Sequence, residues 1–249
     1  GADDIACIPA CSYGMAVAAA HLPVAAGQSI VVLADQFPAH GYPFRQLAAE
    51  RGASVVTIPR GGNQGWTPRV LEAITADTAV VALPHCHWTD GTLVELQTVS
   101  QRCREVGAGL AVDLTQSIGA MPFDVADIQP DFAVAAGYKW MMGPYSLGFM
   151  YVAPKWHGGR PLEHNWIARE GSQDFARLVN YRQEFQPGAR RFDVGEVANF
   201  ALMPMAVAAL EQLLEWGVEA IAETLARRTA DIAERTAPLG LLASDKSIS

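Results

Sequence analysis

At 249 residues, half of them apolar and only 18% charged, the chain is long enough and apolar enough for one large α/β domain, or a large domain with part of a second. Eighteen basic against 26 acidic residues give a net charge of −8, which argues against nucleic acid or an anionic membrane as a partner. No apolar run is long enough and free enough of charge and turn residues to span a bilayer, so no membrane partner is expected.

The start, Gly1-Ala-Asp-Asp4, has no basic stretch before an apolar core, so no secretory signal is read there. Apolar strand-like sequence then begins at once, and the chain stops soon after a long helical stretch, which suggests a segment trimmed at both ends. Cys7, Cys11, Cys86 and Cys103 lack the paired spacing of a metal site and are expected as free thiols in a reducing cytosol. A cytoplasmic protein with no bound metal is the expectation.

Along the chain, short β-rich runs alternate with longer alanine- and leucine-rich segments, the pattern of an α/β fold with a mostly parallel sheet. Strands are expected at 5–8, 30–34, 54–58, 79–83, 109–112, 132–135 and 148–152. The unbroken apolar runs at 30–34 and 78–83 suit strands buried on both faces. Helices are expected at 13–21, 43–51, 67–76, 92–106, 205–216 and 218–237, the last with a possible Glu223–Arg227 pair one turn apart. Residues 154–192, rich in Trp, His, Arg and Gly, follow neither period. They read as a long irregular segment over an active site or as an ordinary surface loop. No Gly-x-Gly-x-x-Gly follows a strand, and the 60–65 loop lacks the strand-to-helix setting of a phosphate loop, which argues against a nucleotide enzyme.

One lysine dominates the chemistry. Lys139 is the only lysine in the first 154 residues and lies in Ala135-Ala-Gly-Tyr-Lys-Trp-Met-Met-Gly-Pro144. An ammonium in a glycine-rich, apolar setting loses hydration, so its pKa should fall and its amine becomes a usable nucleophile. Asp113 ends an apolar strand 26 residues earlier, in Leu110-Ala-Val-Asp-Leu-Thr-Gln116, and is the carboxylate that a protonated pyridine nitrogen needs. Together they suggest pyridoxal phosphate. Ser12, between the first strand and the first helix, either caps that helix or joins an anion site built from its free N–H groups. Phe37 emerges after the second strand and either stacks on a flat cofactor or closes the core. Gln116 can hydrogen-bond a ring oxygen, and the Tyr138 hydroxyl can donate to a phosphate.

Ser12-Tyr-Gly14, Phe37-Pro38, the 83–91 segment, Asp113-Leu-Thr-Gln116, Tyr138-Lys139 and Arg191-Phe-Asp-Val-Gly195 follow one another along the chain. In this order they resemble the class V aminotransferases, fold type I pyridoxal-phosphate enzymes that include kynureninases and cysteine desulfurases. The resemblance runs from about residue 3 to about 214. It implies a three-layer α/β large domain of aspartate aminotransferase type with a mainly parallel seven-stranded sheet over 1–204. Residues 205–249 would be a linker helix and the start of an incomplete small domain.

By resemblance, Lys139 is the Schiff-base lysine, Asp113 binds the pyridine nitrogen, Gln116 the phenolic oxygen, and Phe37 the ring face. Ser12, Tyr13, Gly14 and Tyr138 match phosphate-side positions, and Trp166 matches an aromatic that kynureninases place near the phosphate. Trp88 departs from the Asn found in many members, and Glu196 stands where relatives carry a phosphate-touching Thr. The resemblance further implies a homodimer acting on a small amino acid. Transamination is its generic outcome, with kynureninase-like hydrolysis or desulfuration as alternatives, and a non-catalytic scaffold keeping the fold as the competing class. Arg169, Arg190 and Arg191 are candidates for gripping a substrate carboxylate, and His40, His85 and His87 for tuning the site.

Overall fold

The structure, a computed structural model, describes residues 1–60 and 65–240. Most of the 60–65 loop and the last nine residues of the expected small domain therefore lie outside the described residues. Seven strands form a single sheet: β1 (Ile5–Ile8), β2 (Ser29–Leu33), β3 (Ser54–Ile58), β4 (Thr78–Pro84), β5 (Gly109–Asp113), β6 (Phe132–Ala136) and β7 (Gly148–Val152). Their spatial order is β1-β7-β6-β5-β4-β2-β3. Pairing is parallel from β3 through β6, while β7 runs antiparallel to both β6 and β1. Six of the seven strands thus point the same way, and the mainly parallel seven-stranded sheet expected from the sequence is present.

The side-chain alternation of the strands sorts the core into two layers. On one face Ile30, Val32, Val80, Ala82, Ala111 and Val134 pack with Met15, Val17, Phe44 and Leu47. These last four come from helices α1 (Cys11–His21) and α2 (Pro38–Arg51). On the other face Val31, Leu33, Val81, Leu83, Leu110 and Val112 meet Val70, Val99, Cys103 and Leu213. Those belong to α3 (Thr67–Ala73), α4 (Leu96–Val106) and α6 (Leu202–Trp216), with the short α5 (Val125–Ile128) lying between β5 and β6 in the chain. Being covered on both sides is why β4 is buried at every position and why its sequence is an unbroken apolar run.

The helices differ from expectation at their starts, each for a local reason. α1 begins two residues early, so Ser12 sits inside the first turn and Ala10 holds the cap position with no side-chain cap. α2 begins at Pro38, whose fixed φ suits a first helical position, and runs through Pro43 rather than starting there. Residues 92–95 are drawn away from α4 by pairing: Leu93 bridges Cys86, and the Val94 amide donates to His85 O at 2.9 Å. The unanticipated α5 is capped by Asp124, which accepts from the Ala126 amide at 2.7 Å. In α7 (Val218–Thr236), Arg227 donates to Thr224, and a one-turn ion pair joins Asp231 and Arg235 at 3.6 Å.

Phe132 anchors the first core layer. Fully buried at the start of β6, it stacks on Trp156 with centroids 5.9 Å apart and meets His21 at the same distance. Phe132→Ala should destabilise the fold by about 3–5 kcal/mol, the usual cost of truncating a buried aromatic. Urea unfolding measures it, and a loss below about 1 kcal/mol would show that this layer does not carry the core.

Candidate functional site

A cavity of about 280 Å³ opens at the edge where the parallel strands end, near the lower bound of small-molecule pockets. Every wall comes from a strand terminus. Pro9 to Ser12 follow β1, Phe37 and Ala39 follow β2, and Pro84, Cys86 and Trp88 close β4. Asp113, Thr115 and Gln116 end β5, Tyr138 and Lys139 follow β6, and Tyr145 to Leu147 precede β7. Such a crevice at the carboxyl ends of a parallel sheet is where open α/β folds bind ligands.

Register places the acid. Asp113 pairs with Pro84 on one side and Val134 on the other, so its carboxylate emerges at the last rung of the central strand. It is buried. Oδ1 accepts the Thr115 amide at 2.8 Å, and Oδ2 lies 3.4 Å from the Cys11 sulfur. Thr115 in turn accepts the Ala136 amide at 3.1 Å, which ties the β5 end to the strand that leads into the lysine.

A tight loop presents Lys139. The Gly137 amide donates to Leu147 O at 2.9 Å, Gly143 donates back to Gly137 O at 2.8 Å, and Met142 donates to Lys139 O. Lys139 is partly exposed into the cavity rather than sunk in apolar surroundings. Its Nζ lies 5.7 Å from the Phe37 ring centroid, and among the described residues no carboxylate pairs with it. Its charge still reaches the Cys11 thiol, as does that of Asp113. Amine and acid therefore share one cavity.

Phe37 presents a 40% exposed ring, held edge-on by Trp88 with centroids 5.5 Å apart and planes at 87°. Trp88 is fixed by its indole N–H, which donates to Asp35 O at 2.6 Å. The residue that departs from the family pattern thus forms a wall of the cavity. Arg60 bridges Asp35 and Asp90 across the same rim. At the other rim Tyr138 and Tyr145 pack with ring centroids 4.7 Å apart. The first turn of α1, uncapped by any side chain, places Cys11 and Ser12 on the cavity wall.

Lys139, Asp113, Gln116, Phe37, Ser12 and Tyr138 are brought together here. Tyr13, Gly14 and Trp166 stand apart from the cavity lining. Tyr13 is half-buried, its phenol pushed up to about 12 by burial and then by Glu163 and Asp193. Gly14 is a packing contact, since a Cβ there would lie 2.7 Å from Val134. Trp166 packs edge-on against Phe175 in the irregular segment. The arginine candidates are also engaged elsewhere: Arg169 and Arg191 flank the Phe185 ring, and Arg190 donates to Gln186. His85 pairs with Ser117 and His87 with Ala34 O, while burial pushes His40 down to about 4. Sequence reasoning missed Cys11, Cys86, Tyr145 and Ser146, all of which line the cavity. Cys11 was within reach, because it shares a helical turn with Ser12.

The family model described as Aminotransferase class-V matches residues 5–243. An uncharacterized aminotransferase of Bacillus subtilis, YcbU, is 28% identical over 96% of this chain and 62% of its own length. A kynureninase of Geobacillus thermodenitrificans is 26% identical over 77% of this chain and 43% of its own length. The structure of the cysteine desulfurase CsdA from Escherichia coli superposes with a TM-score of 0.77 at 22% identity, over 96% of this chain and 59% of that one. The chain thus spans less than two thirds of the length of these relatives.

Gly137 tests how the lysine is presented. A Cβ there would come within 2.6 Å of Leu147 O, against the hydrogen bond that closes the loop. Gly137→Ala should lower stability by about 1–3 kcal/mol, the usual range for overpacking. Chemical denaturation that finds the variant as stable as the parent contradicts this reading of the loop.

Proposed function

The chain belongs to the class V aminotransferase family of pyridoxal-phosphate enzymes, and we propose that its cavity holds that cofactor through Lys139 and transaminates a small amino acid. The observation that carries the reading is the shared cavity of Lys139 and the buried Asp113 carboxylate.

The donor set fits the cofactor. Asp113 accepts two hydrogen bonds from the chain, and a carboxylate has about four lone-pair positions, so capacity remains for a protonated ring nitrogen. The amides of Cys11 and Ser12 at an uncapped helix start suit a phosphate, with Tyr138 beside them. The Phe37 face suits a flat ring, and Gln116 a phenolic oxygen. When bound, pyridoxal phosphate supplies an aldehyde that condenses with amines and a ring that withdraws electrons from the bonds at the attached carbon.

The remaining work falls to side chains of this chain. Lys139 Nζ would hold the cofactor and, when free, would take a proton from the substrate Cα and return it. Asp113, oriented by the Thr115 amide and the Cys11 thiol, would hold a proton on the ring nitrogen. Trp88 and Phe37 give the cavity its aromatic wall. Residues 1–204 form the catalytic large domain in this reading, and α6 and α7 lead toward a second domain. The reading also includes a cytoplasmic homodimer. No helix among the described residues is long and apolar enough to cross a membrane, and the four cysteines are free thiols.

Lys139→Ala and Asp113→Asn should each lower kcat/KM by about 10²-fold or more, the usual scale for losing a proton carrier or the group that keeps the ring acidic. A panel of amino donors assayed for keto-acid formation identifies transamination. Release of anthranilate or of sulfide without keto acid would contradict it in favour of hydrolysis or desulfuration. Activity retained in both variants would contradict the site itself.

A further inference from the structure

Asp113 has a second neighbour that neither the sequence pattern nor the family description accounts for. The Cys11 sulfur lies 3.4 Å from Asp113 Oδ2, and both residues are 7% exposed. They come from strand ends three places apart in the sheet: Cys11 opens α1 after β1, and Asp113 closes β5. This contact is therefore a long-range product of the fold. The other carboxylate oxygen is pinned by the Thr115 amide at 2.8 Å, so the chain holds the carboxylate from both ends.

The protonation state of the sulfur decides what it can do. Burial pushes the thiol well above its ordinary value, and the charge and hydrogen bond of Asp113 push it further in the same direction. Thr115 and Lys139 pull it back only in part. A thiolate at this place would sit against a carboxylate in a dry environment. Cys11 is thus a fixed S–H donor, and a nucleophilic or sulfur-carrying role is disfavoured. His40, which also feels the Asp113 charge, is fully buried with its pKa pushed down to about 4, so it adds no competing positive charge.

We propose that Cys11 is a positioning residue for the cofactor: its thiol donates to Asp113 Oδ2, fixes the plane of the carboxylate and disperses its charge, so that Oδ1 and Oδ2 keep their remaining lone pairs for the ring nitrogen. The proposal rests on the functional reading above. Without the donor, Oδ2 loses a partner in a nearly dry site, and the carboxylate is held less firmly toward the ring nitrogen. Serine can replace the donor. Alanine cannot.

The effect should be confined to a ligand that has a ring nitrogen. Binding of pyridoxal phosphate, and of its deaza analogue with carbon in place of that nitrogen, is measured by calorimetry on the full protein and on Cys11→Ala and Cys11→Ser. Cys11→Ala should weaken pyridoxal phosphate by about 10-fold, the scale of one hydrogen bond to a charged group, while the deaza analogue shifts by less than about twofold. Cys11→Ser should recover to within about threefold of the parent. Equal losses for both ligands, or no loss for either, overturn the proposal and leave the functional reading intact. Failure of the parent protein to bind pyridoxal phosphate sinks the functional reading itself. A readout independent of the cofactor is alkylation of Cys11 by iodoacetamide, followed by peptide mass. Asp113→Asn should accelerate it about 10-fold, because the charge that suppresses the thiolate is gone, and an unchanged rate also counts against the contact.

Discussion

The register of the central strands is the constraint on which the rest depends. Pro84, Asp113 and Val134 stand side by side on β4, β5 and β6, so the rung at which β4 and β5 end carries a carboxylate beside the strand that leads into the lysine loop. A one-residue slip would turn every β5 side chain to the opposite face. Asp113 would then point into the helix layer, and Val112 would take its place at the cavity. The apolar surface of β5, packed on both faces, holds the register against such a slip. Burial of Leu110, Ala111 and Val112 thereby positions the acid.

The same edge explains why so few secondary elements build so complete a site. Six strands point the same way, so their carboxyl ends meet at one edge, and the ends of β1, β2, β4, β5 and β6 each contribute two or more residues to the lining. The lysine loop is the exception. It joins the parallel β6 to the antiparallel β7, and the two glycines at its ends, Gly137 and Gly143, permit the close backbone approaches that turn Lys139 inward. Asp35 and Ser146 adopt positive φ at 55° and 64°, conformations that side chains seldom take, at the margins of the same cavity.

Much of this was legible in the sequence. Short apolar runs located all seven strands to within about a residue, and those of β2, β4, β5 and β6 are near-continuous because these strands are buried on both faces. Asp113 and Lys139 stood out since a charged group beside a buried strand needs a reason. Helix starts were harder to read. They depend on pairings such as Val94 with His85, and on Pro43 being tolerated inside α2, neither of which a local pattern displays. The contact between Cys11 and Asp113 was invisible for the same reason: 102 residues separate the two, and only the sheet order brings them together. Tyr13, Gly14 and Trp166 lie outside the lining of this cavity. A motif names its positions in chain order, whereas a helix turn directs Ser12 toward the cavity and its two successors elsewhere.

Chemical capture at the amine addresses the central claim most directly. The protein is incubated with pyridoxal phosphate, reduced with borohydride, digested, and its peptides are weighed. The account predicts the added mass on the Lys139 peptide alone, with the label greatly reduced when Asp113 is replaced by asparagine. Label on Lys155 instead, label spread over several lysines, or none at all would contradict the assignment of the cavity.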